Sequence, residues 1–234
     1  MAAELIPIQG SAAFYTPDES VQGCVLRIAS LIDRYFPGIA AETKALAPDA
    51  FKAAAAEWQV DLDSRFEGFK SFKRQIEWFS GRAAFSVLSR RTLGSLHTLG
   101  VSDGGAPFIQ DSPLQVSITH AGDYAAAAIS LDPSWRIGID MERIRNFPGR
   151  ESFLKVAFPE DDTIGTKSDE EIMELWTLKE AFLKIIRKGF AENLGQVKIL
   201  PERFIYRGRP IETIRRRTER FDGHILSFVY GEME

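Results

Sequence analysis

The chain has 234 residues, a net charge of −4 and a hydrophobic fraction of 44%, which includes 17 Phe and 4 Trp. This length fits one domain or two small ones, and the apolar content is sufficient for a folded core, which argues against a disordered chain. The acidic balance argues against a nucleic-acid-binding protein that relies on overall positive charge.

Cysteine and histidine usage points away from disulfides and structural zinc. The single cysteine, Cys24, has no partner within the chain, and the three histidines lie far apart in sequence. No run of about 18 apolar residues predicts a transmembrane helix, and the first residues lack the pattern of a signal peptide. We therefore expect a cytoplasmic protein that binds neither membranes nor nucleic acid.

The first part of the chain has mainly helical patterns. Apolar spacings of three and four residues predict helices over 20–36 and 66–93, and an Ala-rich composition predicts another over 40–58. The predicted helix 66–93 carries basic residues on its polar side, namely Lys70, Lys73, Arg74, Arg82, Arg90 and Arg91.

Strand patterns follow. Alternation predicts a strand at 114–119, and a run of small apolar residues predicts a buried strand at 124–131. The sequence Asp132-Pro133-Ser134 predicts a turn before another short strand at 136–142.

The last part of the chain combines one helix with short strands. Ser168, followed by three acidic residues, predicts the start of a helix that runs to about Lys188 and stops at Gly189. Short strands are then predicted near 197–200, 204–206, 211–214 and 224–229.

Helices followed by strands in each half predict an α+β fold with two similar-sized lobes. The predicted boundary near residues 132–134 separates an N-terminal lobe, 1–134, from a C-terminal lobe, 135–234. No clear internal repeat is visible in the sequence, so a duplication cannot be derived from it.

Asp140 and Glu142 are the first candidates for a functional role. Residues two apart on a strand point to the same face, where two carboxylates repel unless a cation or a basic partner lies between them. Mg²⁺ fits, because it takes one or two carboxylates together with phosphate oxygens and water. The alternative is a pair of solvated acids at an exposed strand end.

Glu180 and Lys184 are four residues apart, so they share one face of the predicted helix. The alternative is an ordinary surface ion pair, which contributes only about 0.3–0.5 kcal/mol. Bulky neighbours such as Trp176 and Phe182 favour a largely buried helix whose charges need partners.

Two basic positions earlier in the chain are candidates for phosphate binding. His120 follows a predicted strand and could donate to a phosphate oxygen, although it could equally be a loop or N-cap histidine. Arg82, with Lys73 and Arg74 nearby, could reach a second phosphate, although a solvated helix face would also explain these residues.

Four segments of the chain, taken in order, carry the most specific signal. They are Glu77-Trp78-Phe79-Ser80-Gly81-Arg82-Ala83-Ala84, Ser117-Ile118-Thr119-His120, Gly138-Ile139-Asp140-Met141-Glu142 and Trp176-Thr177-Leu178-Lys179-Glu180-Ala181-Phe182-Leu183-Lys184. Together they resemble the motifs of the phosphopantetheinyl transferases of the pseudodimeric type, which activate surfactin- and enterobactin-like synthetases. The last two segments are specific in combination, whereas the first two are weak alone. Lys188-Gly189-Phe190 resembles the Lys-Gly-Leu that follows the fourth motif.

The resemblance covers roughly residues 77–190, and Thr119 stands where the family's Ser-x-Ser-His has its second Ser. Gly105-Ala106-Pro107 stands where many relatives have Gly-Lys-Pro, which puts one phosphate or strand-edge contact in doubt. Residues 1–60 match no family pattern.

The resemblance implies a transferase that moves 4′-phosphopantetheine from coenzyme A to a serine of an acyl or peptidyl carrier protein. It implies a monomer whose site lies in the cleft between the lobes of the pseudodimer. Asp140 and Glu180 would bind Mg²⁺, with Glu142 either as a third ligand or holding a metal-bound water. Glu180 would act as the base and Lys184 would neutralise the α-phosphate, while the nucleotide half would contact Arg74, Arg82, Thr119 and His120.

Two other functions stay open at this stage. A non-catalytic homologue could keep the fold and bind coenzyme A or a carrier protein. A hydrolase could cleave the coenzyme A pyrophosphate without any carrier.

Arginines in the C-terminal part could steer an acidic carrier domain towards the site. The group comprises Arg203, Arg207, Arg209, Arg215, Arg216, Arg217 and Arg220. The alternative is that these arginines are ordinary solvated residues of strands.

Overall fold

A computed structural model describes residues 12–40, 42–146, 149–187 and 192–233 of the chain. The first part contains β1 (Ala12–Asp18), β2 (Val21–Arg27), α1 (Ile28–Tyr35), α2 (Lys52–Trp58), α3 (Ser64–Glu67), α4 (Phe72–Leu93), β3 (Leu99–Val101), β4 (Pro107–Ile109), β5 (Gln115–Ala121) and β6 (Tyr124–Ser130). The second part contains β7 (Trp135–Arg143), α5 (Arg150–Ala157), α6 (Asp169–Ile185), β8 (Val197–Leu200), β9 (Arg203–Tyr206), β10 (Arg209–Ile211), β11 (Ile214–Phe221) and β12 (His224–Glu232). The predicted α+β class is confirmed.

The strands form antiparallel sheets whose order matters for the site. One sheet has the order β1-β2-β6-β5, and another has the order β11-β12-β7. Smaller sheets contain β10-β9-β8 and β3-β4. Thus β5 and β7 are both edge strands, and they lie next to one another without sharing a ladder of backbone hydrogen bonds.

The buried apolar residues form separate groups between the helices and the sheets. An aromatic group that includes Phe51, Phe66, Phe72 and Phe79 fills the space between the helices of the first part and its sheet. A second group, which includes Phe228, lies between the two larger sheets. A third group lies between α6 and the strands β8, β9 and β12.

The hairpin turns β5–β6 and β11–β12 meet at one end of the molecule. The hydroxyl of Tyr124 donates a hydrogen bond of 2.6 Å to Asp222. A Cβ added to Gly122 would lie 3.0 Å from Nε2 of His224, so the turn needs a glycine for the close approach as well as for its positive φ of 53°.

The predicted helix over 20–36 is wrong in its first half. Residues Val21–Arg27 form β2, and only Ile28–Tyr35 is helical. β2 pairs with β1 on one side and β6 on the other, and most of its residues are buried. A strand buried on both faces lacks polar alternation, so its apolar spacing resembled that of a helix.

Two further helices are shorter than predicted. Of 40–58, only Lys52–Trp58 is α-helical, after a 3₁₀ turn at Pro48–Phe51, and residue 41 lies outside the described residues. The helix 66–93 is interrupted, because Ser71 caps a new helix by accepting from the Arg74 amide at 3.3 Å.

The helix predicted from Ser168 is confirmed at its start. Ser168 and Glu171 form a reciprocal capping box, and α6 ends at Ile185. The predicted end at Lys188 and Gly189 lies outside the described residues, as does the segment Lys188-Gly189-Phe190. In the described part of the chain, no helix combines the length and apolar character needed to span a membrane.

Candidate active site

α6 lies unusually close to β7, and Gly138 makes this possible. A Cβ at Gly138 would stand 1.9 Å from the carbonyl oxygen of Ala181, a distance that no side chain could occupy. The glycine of the Gly-Ile-Asp-Met-Glu segment therefore lets the helix rest on the strand. This contact brings Glu180 and Lys184 to the acidic residues of β7.

Asp140 lies at the centre of the candidate site and is only 4% exposed. Its Oδ1 accepts hydrogen bonds from Lys184 Nζ at 2.8 Å and from Thr119 Oγ1 at 3.2 Å. Lys184 Nζ also donates to the Ile139 carbonyl at 2.6 Å. The other oxygen, Oδ2, is buried without a hydrogen-bond partner among the described residues.

Burial and repulsion from acidic neighbours favour the protonated forms of the carboxyl groups next to Asp140. Burial, followed by the charge of Asp140, raises the pKa of Glu180 to about 8, although Lys184 acts in the opposite direction. The pKa of Glu142 is also raised, first by burial and then by Asp140. Carboxylates that perturb one another in this way are characteristic of functional sites.

These residues offer suitable donors to a hard cation. The unpartnered Asp140 Oδ2 and the mutually repelling carboxylates of Glu142 and Glu180 are oxygen ligands of the type that Mg²⁺ takes. Across the described ranges, no group of three or more His, Cys, Asp or Glu side chains is already arranged to hold a metal ion. The fit therefore rests on donor chemistry, with phosphate oxygens and water completing the coordination.

β5 supplies the opposite wall of the site. The Ile139 amide donates a hydrogen bond of 3.0 Å to Ser117 Oγ, which joins the edge strands β5 and β7 through a side chain. Thr119 extends this junction by donating to Asp140, and this donation uses the only proton of its hydroxyl group. The predicted contact of Thr119 with a phosphate stays a prediction. Sequence reasoning gave Ser117 no role of its own.

His120 faces a basic cluster on α4. Its Nδ1 lies 4.0 Å from Glu77 Oε2, and the same carboxylate oxygen accepts from Arg74 Nη1 at 3.1 Å. Burial lowers the pKa of His120, and the charge of Glu77 partly opposes that effect. The basic residues that the sequence proposed for phosphate binding are thus brought together.

A cavity of about 220 Å³ contains these groups, and Arg65, Arg74, Arg82 and His120 are among its lining residues. The guanidinium of Arg82 lies 3.4 Å from the ring centroid of Trp78. Burial is the main reason that the pKa of Arg82 is lowered to about 10. A cavity with this lining suits an anionic group of a small ligand.

A second cavity, of about 300 Å³, runs between β5 and α6 and reaches Lys184. The segment Gly105-Ala106-Pro107 lines it, and Gly105 and Pro107 also line the basic cavity. Arg65 Nη1 would lie 3.7 Å from a Cβ on Gly105, so a guanidinium lies beside the residue that precedes Ala106.

Lys179, the other lysine of its segment, has a structural role. Its ammonium is fully buried and donates to the carbonyls of Ala157 and Leu194 at 2.8 and 3.1 Å and to Glu160 at 2.7 Å. This lysine anchors α6 to the end of α5 and to the segment before β8.

Several of the C-terminal arginines already have acidic partners. Arg215 pairs with Asp18 at 2.8 Å, and Arg217 pairs with Glu219 at 2.9 Å. Arg220 contacts both Glu170 and Glu174. These pairs reduce the positive charge available for steering, and the predicted carrier-binding role stays a prediction.

Comparison with known proteins confirms the resemblance that the motifs predicted. Residues 136–228 match the family model described as the 4′-phosphopantetheinyl transferase superfamily. The 4′-phosphopantetheinyl transferase gsp of Aneurinibacillus migulanus is 35% identical over 94 residues, which are 36% of this chain and 36% of that protein. A 4′-phosphopantetheinyl transferase of Bacillus subtilis is 28% identical over 109 residues, 44% of this chain and 46% of that protein. The matches thus span between a third and a half of these relatives.

Proposed function

We propose, from the premise that residues 136–228 carry the 4′-phosphopantetheinyl transferase superfamily match, that this chain is such an enzyme. It transfers phosphopantetheine from coenzyme A to a serine of an acyl or peptidyl carrier protein and releases 3′,5′-ADP. The observation that supports this most is the convergence of Asp140, Glu180 and Lys184 with the basic cavity around His120.

Asp140, Glu142 and Glu180 would hold Mg²⁺. When bound, the ion would neutralise charge on the pyrophosphate of coenzyme A. The unpartnered oxygen of Asp140 supports this assignment.

Glu180 is the proposed base for the serine hydroxyl. Without a cation, burial and the charge of Asp140 raise its pKa to about 8, and a bound Mg²⁺ would lower that pKa so that the ionised carboxylate could accept the proton. Lys184 uses two of its three N–H groups on Ile139 and Asp140 in the described structure, and the third can face an α-phosphate oxygen. Attack at phosphorus then depends mainly on positioning and charge stabilisation.

Arg74, Arg82 and His120 would bind phosphates of the nucleotide half, with Thr119 assisting at the 3′-phosphate. Their shared cavity supports this role. Thr119 would have to exchange its hydrogen bond to Asp140 for one to the ligand.

The two-lobe division at 1–134 and 135–234 is part of the proposal. Two sheets have corresponding orders, β5-β6-β2 and β11-β12-β7, which supports a pseudodimer. The lobes would meet where β5 lies along β7, so the cleft would take residues from both.

The decisive experiment incubates an apo carrier protein with coenzyme A, Mg²⁺ and the enzyme, followed by mass spectrometry. We expect the carrier to gain about 340 Da, the mass of the phosphopantetheinyl group. Asp140→Ala is the matched control, and omission of Mg²⁺ tests the metal. Binding without transfer would indicate a non-catalytic homologue, whereas release of 3′,5′-ADP without a carrier would indicate a hydrolase.

A further inference from the structure

The basic cavity contains one acidic side chain, Glu77 of α4, to which the roles above assign nothing. Glu77 is only 7% exposed. Its carboxylate faces two cationic groups, Arg74 Nη1 at 3.1 Å and Lys73 Nζ at 4.0 Å, and the imidazole of His120, whose Nδ1 lies 4.0 Å away. Arg65 and Arg82 line the same cavity.

A buried carboxylate in a cavity for an anion requires an explanation. Burial of the charge is unfavourable unless partners compensate, and the charge also repels an anionic ligand. The position of His120 offers an explanation, because Glu77 lies on the Nδ1 side of the imidazole. An acidic partner on one ring nitrogen orients the ring and favours a proton on both nitrogens, so that Nε2 can donate to a ligand.

We propose that Glu77 is a positioning residue, whose carboxylate holds His120 and Arg74 in the orientation that binds a phosphate monoester. This proposal rests on the proposed function for the identity of that group, the 3′-phosphate of the coenzyme A nucleotide half. The hydrogen bond from Arg74 holds the carboxylate, which faces Nδ1 of the imidazole as an electrostatic partner at 4.0 Å.

The other charges near His120 would not replace Glu77. Arg74 on α4 and Lys184 on α6 are cations that disfavour the imidazolium, and burial acts in the same direction. Asp140 on β7 favours the imidazolium less than Glu77 does, and it already accepts bonds from Lys184 and Thr119. The pKa of His120 should therefore fall further when Glu77 loses its charge.

Glu77→Gln tests the proposal by a direct binding measurement. A positioning role and simple repulsion of anions predict opposite changes in the affinity for 3′,5′-ADP. Titration calorimetry would compare 3′,5′-ADP with AMP, which lacks the 3′-phosphate. If Glu77 positions the cations, the variant should bind 3′,5′-ADP about fivefold more weakly, with less than about twofold change for AMP. If Glu77 only repels anions, the variant should bind 3′,5′-ADP more tightly, which would overturn the proposal.

Glu57→Gln is the matched control, because Glu57 also pairs with an arginine, Arg34 at 2.5 Å, but lies outside the cavity. This variant should keep both affinities. In a His120→Ala background, Glu77→Gln should cause a smaller further loss than in the unsubstituted protein, since only the part that acts through Arg74 is left. An undiminished further loss would contradict the role of Glu77 in positioning His120.

Two further measurements keep the test decisive. NMR titration of the His120 ring should give a lower pKa in Glu77→Gln than in the unsubstituted protein, and an unchanged value would count against the proposal. If Glu77→Gln does not fold, Glu77→Asp retains the charge on a shorter side chain and should weaken 3′,5′-ADP selectively. The two proposals can fail separately. If the enzyme does not modify a carrier protein but Glu77→Gln still weakens 3′,5′-ADP selectively, the transferase function is refuted and the role of Glu77 stands.

Discussion

At the scale of single residues, the site is defined by carboxyl groups whose pKa is raised by burial and by acidic neighbours. Asp140→Ala and Glu180→Ala should each lower kcat by at least about 10²-fold, because each removes a proposed ligand of a hard cation and its charge stabilisation. Glu142→Ala should be milder if that residue acts through water. Turnover near the unsubstituted level at saturating Mg²⁺, in either of the first two variants, would refute the assignment.

The basic cavity leads to a second prediction at this scale. His120→Ala and Arg82→Ala should raise the KM for coenzyme A by about tenfold, as expected for loss of a charged hydrogen bond. The increase should be smaller for 3′-dephospho-coenzyme A if either side chain contacts the 3′-phosphate. Steady-state kinetics with both substrates measures this, and equal increases would mean that neither residue contacts that group.

The raised pKa of Glu180 predicts how stability depends on pH. The folded protein holds this proton to about pH 8, whereas the ordinary value is 4.5. The stabilising effect of the protonated form is complete below the ordinary pKa and is lost as pH rises through 8. Without divalent cations, Glu180→Gln should therefore gain a Tm advantage of about a few degrees between pH 5 and pH 9.

Thermal melts in EDTA at both pH values provide the measurement. Mg²⁺ at pH 8 should then stabilise the unsubstituted protein more than the variant, because the glutamine lacks the charge that a cation would bind. A Tm difference that stays constant from pH 5 to pH 9 would contradict the electrostatic explanation.

At the scale of elements, the contact between α6 and β7 determines the site. Gly138→Ala should destabilise the protein by about 2–3 kcal/mol, because the added methyl group collides with the Ala181 carbonyl and the helix must move. That movement should also separate Lys184 from Asp140 and reduce activity. Chemical denaturation and carrier modification measure the two effects.

Gly165→Ala is the control for this substitution, since no atom lies within 4 Å of its added Cβ and its φ is not in the left-handed region. It should change the free energy of unfolding by less than about 1 kcal/mol. Similar losses in both variants would mean that the close helix–strand contact is not the cause.

The best-predicted helices and strands are those whose ends are marked by nearby residues, such as capping side chains. Ser168 and Glu171 supply a capping box, and the predicted strand at 197–200 agrees with Val197–Leu200.

β2 was misinterpreted because distant parts of the chain bury both of its faces. Cys24 and Leu26 pack in the core beneath the helices, whereas Val21 and Val25 pack in the core that includes residues of β7 and β12. α5 was not predicted; its eight residues expose Val156 at 68% and give only a weak apolar pattern.

For the site, too, local sequence signals predicted some residues, whereas contacts between distant elements could not be predicted. Asp140, Glu142, Glu180 and Lys184 stood out because of short-range spacing combined with a family resemblance. The junction through Ser117 and the placement of Glu77 against His120 depend on how distant elements pack. Periodicity along the chain carries no information on such contacts.

At the scale of the whole molecule, the proposed site needs groups from both halves of one chain. His120 precedes the turn at Asp132, whereas Asp140 and Lys184 follow it. We therefore predict a functional monomer, because one chain supplies both walls of the cleft. Light scattering combined with an activity titration measures this. Loss of specific activity on dilution, together with dissociation of an oligomer, would contradict the prediction.

The corresponding strand orders of the two larger sheets have a consequence for ligand stoichiometry. Asp140 pairs with Ser227, the fourth residue after the β11–β12 turn, and Cys24 pairs with Ala127, the fourth residue after the β5–β6 turn. Cys24 thus occupies the position in β2 that Asp140 occupies in β7, and Leu26 corresponds to Glu142. Cys24 and Leu26 are buried apolar residues. If the halves descend from one ancestral unit, only one copy keeps charged ligands, and each chain should bind a single coenzyme A.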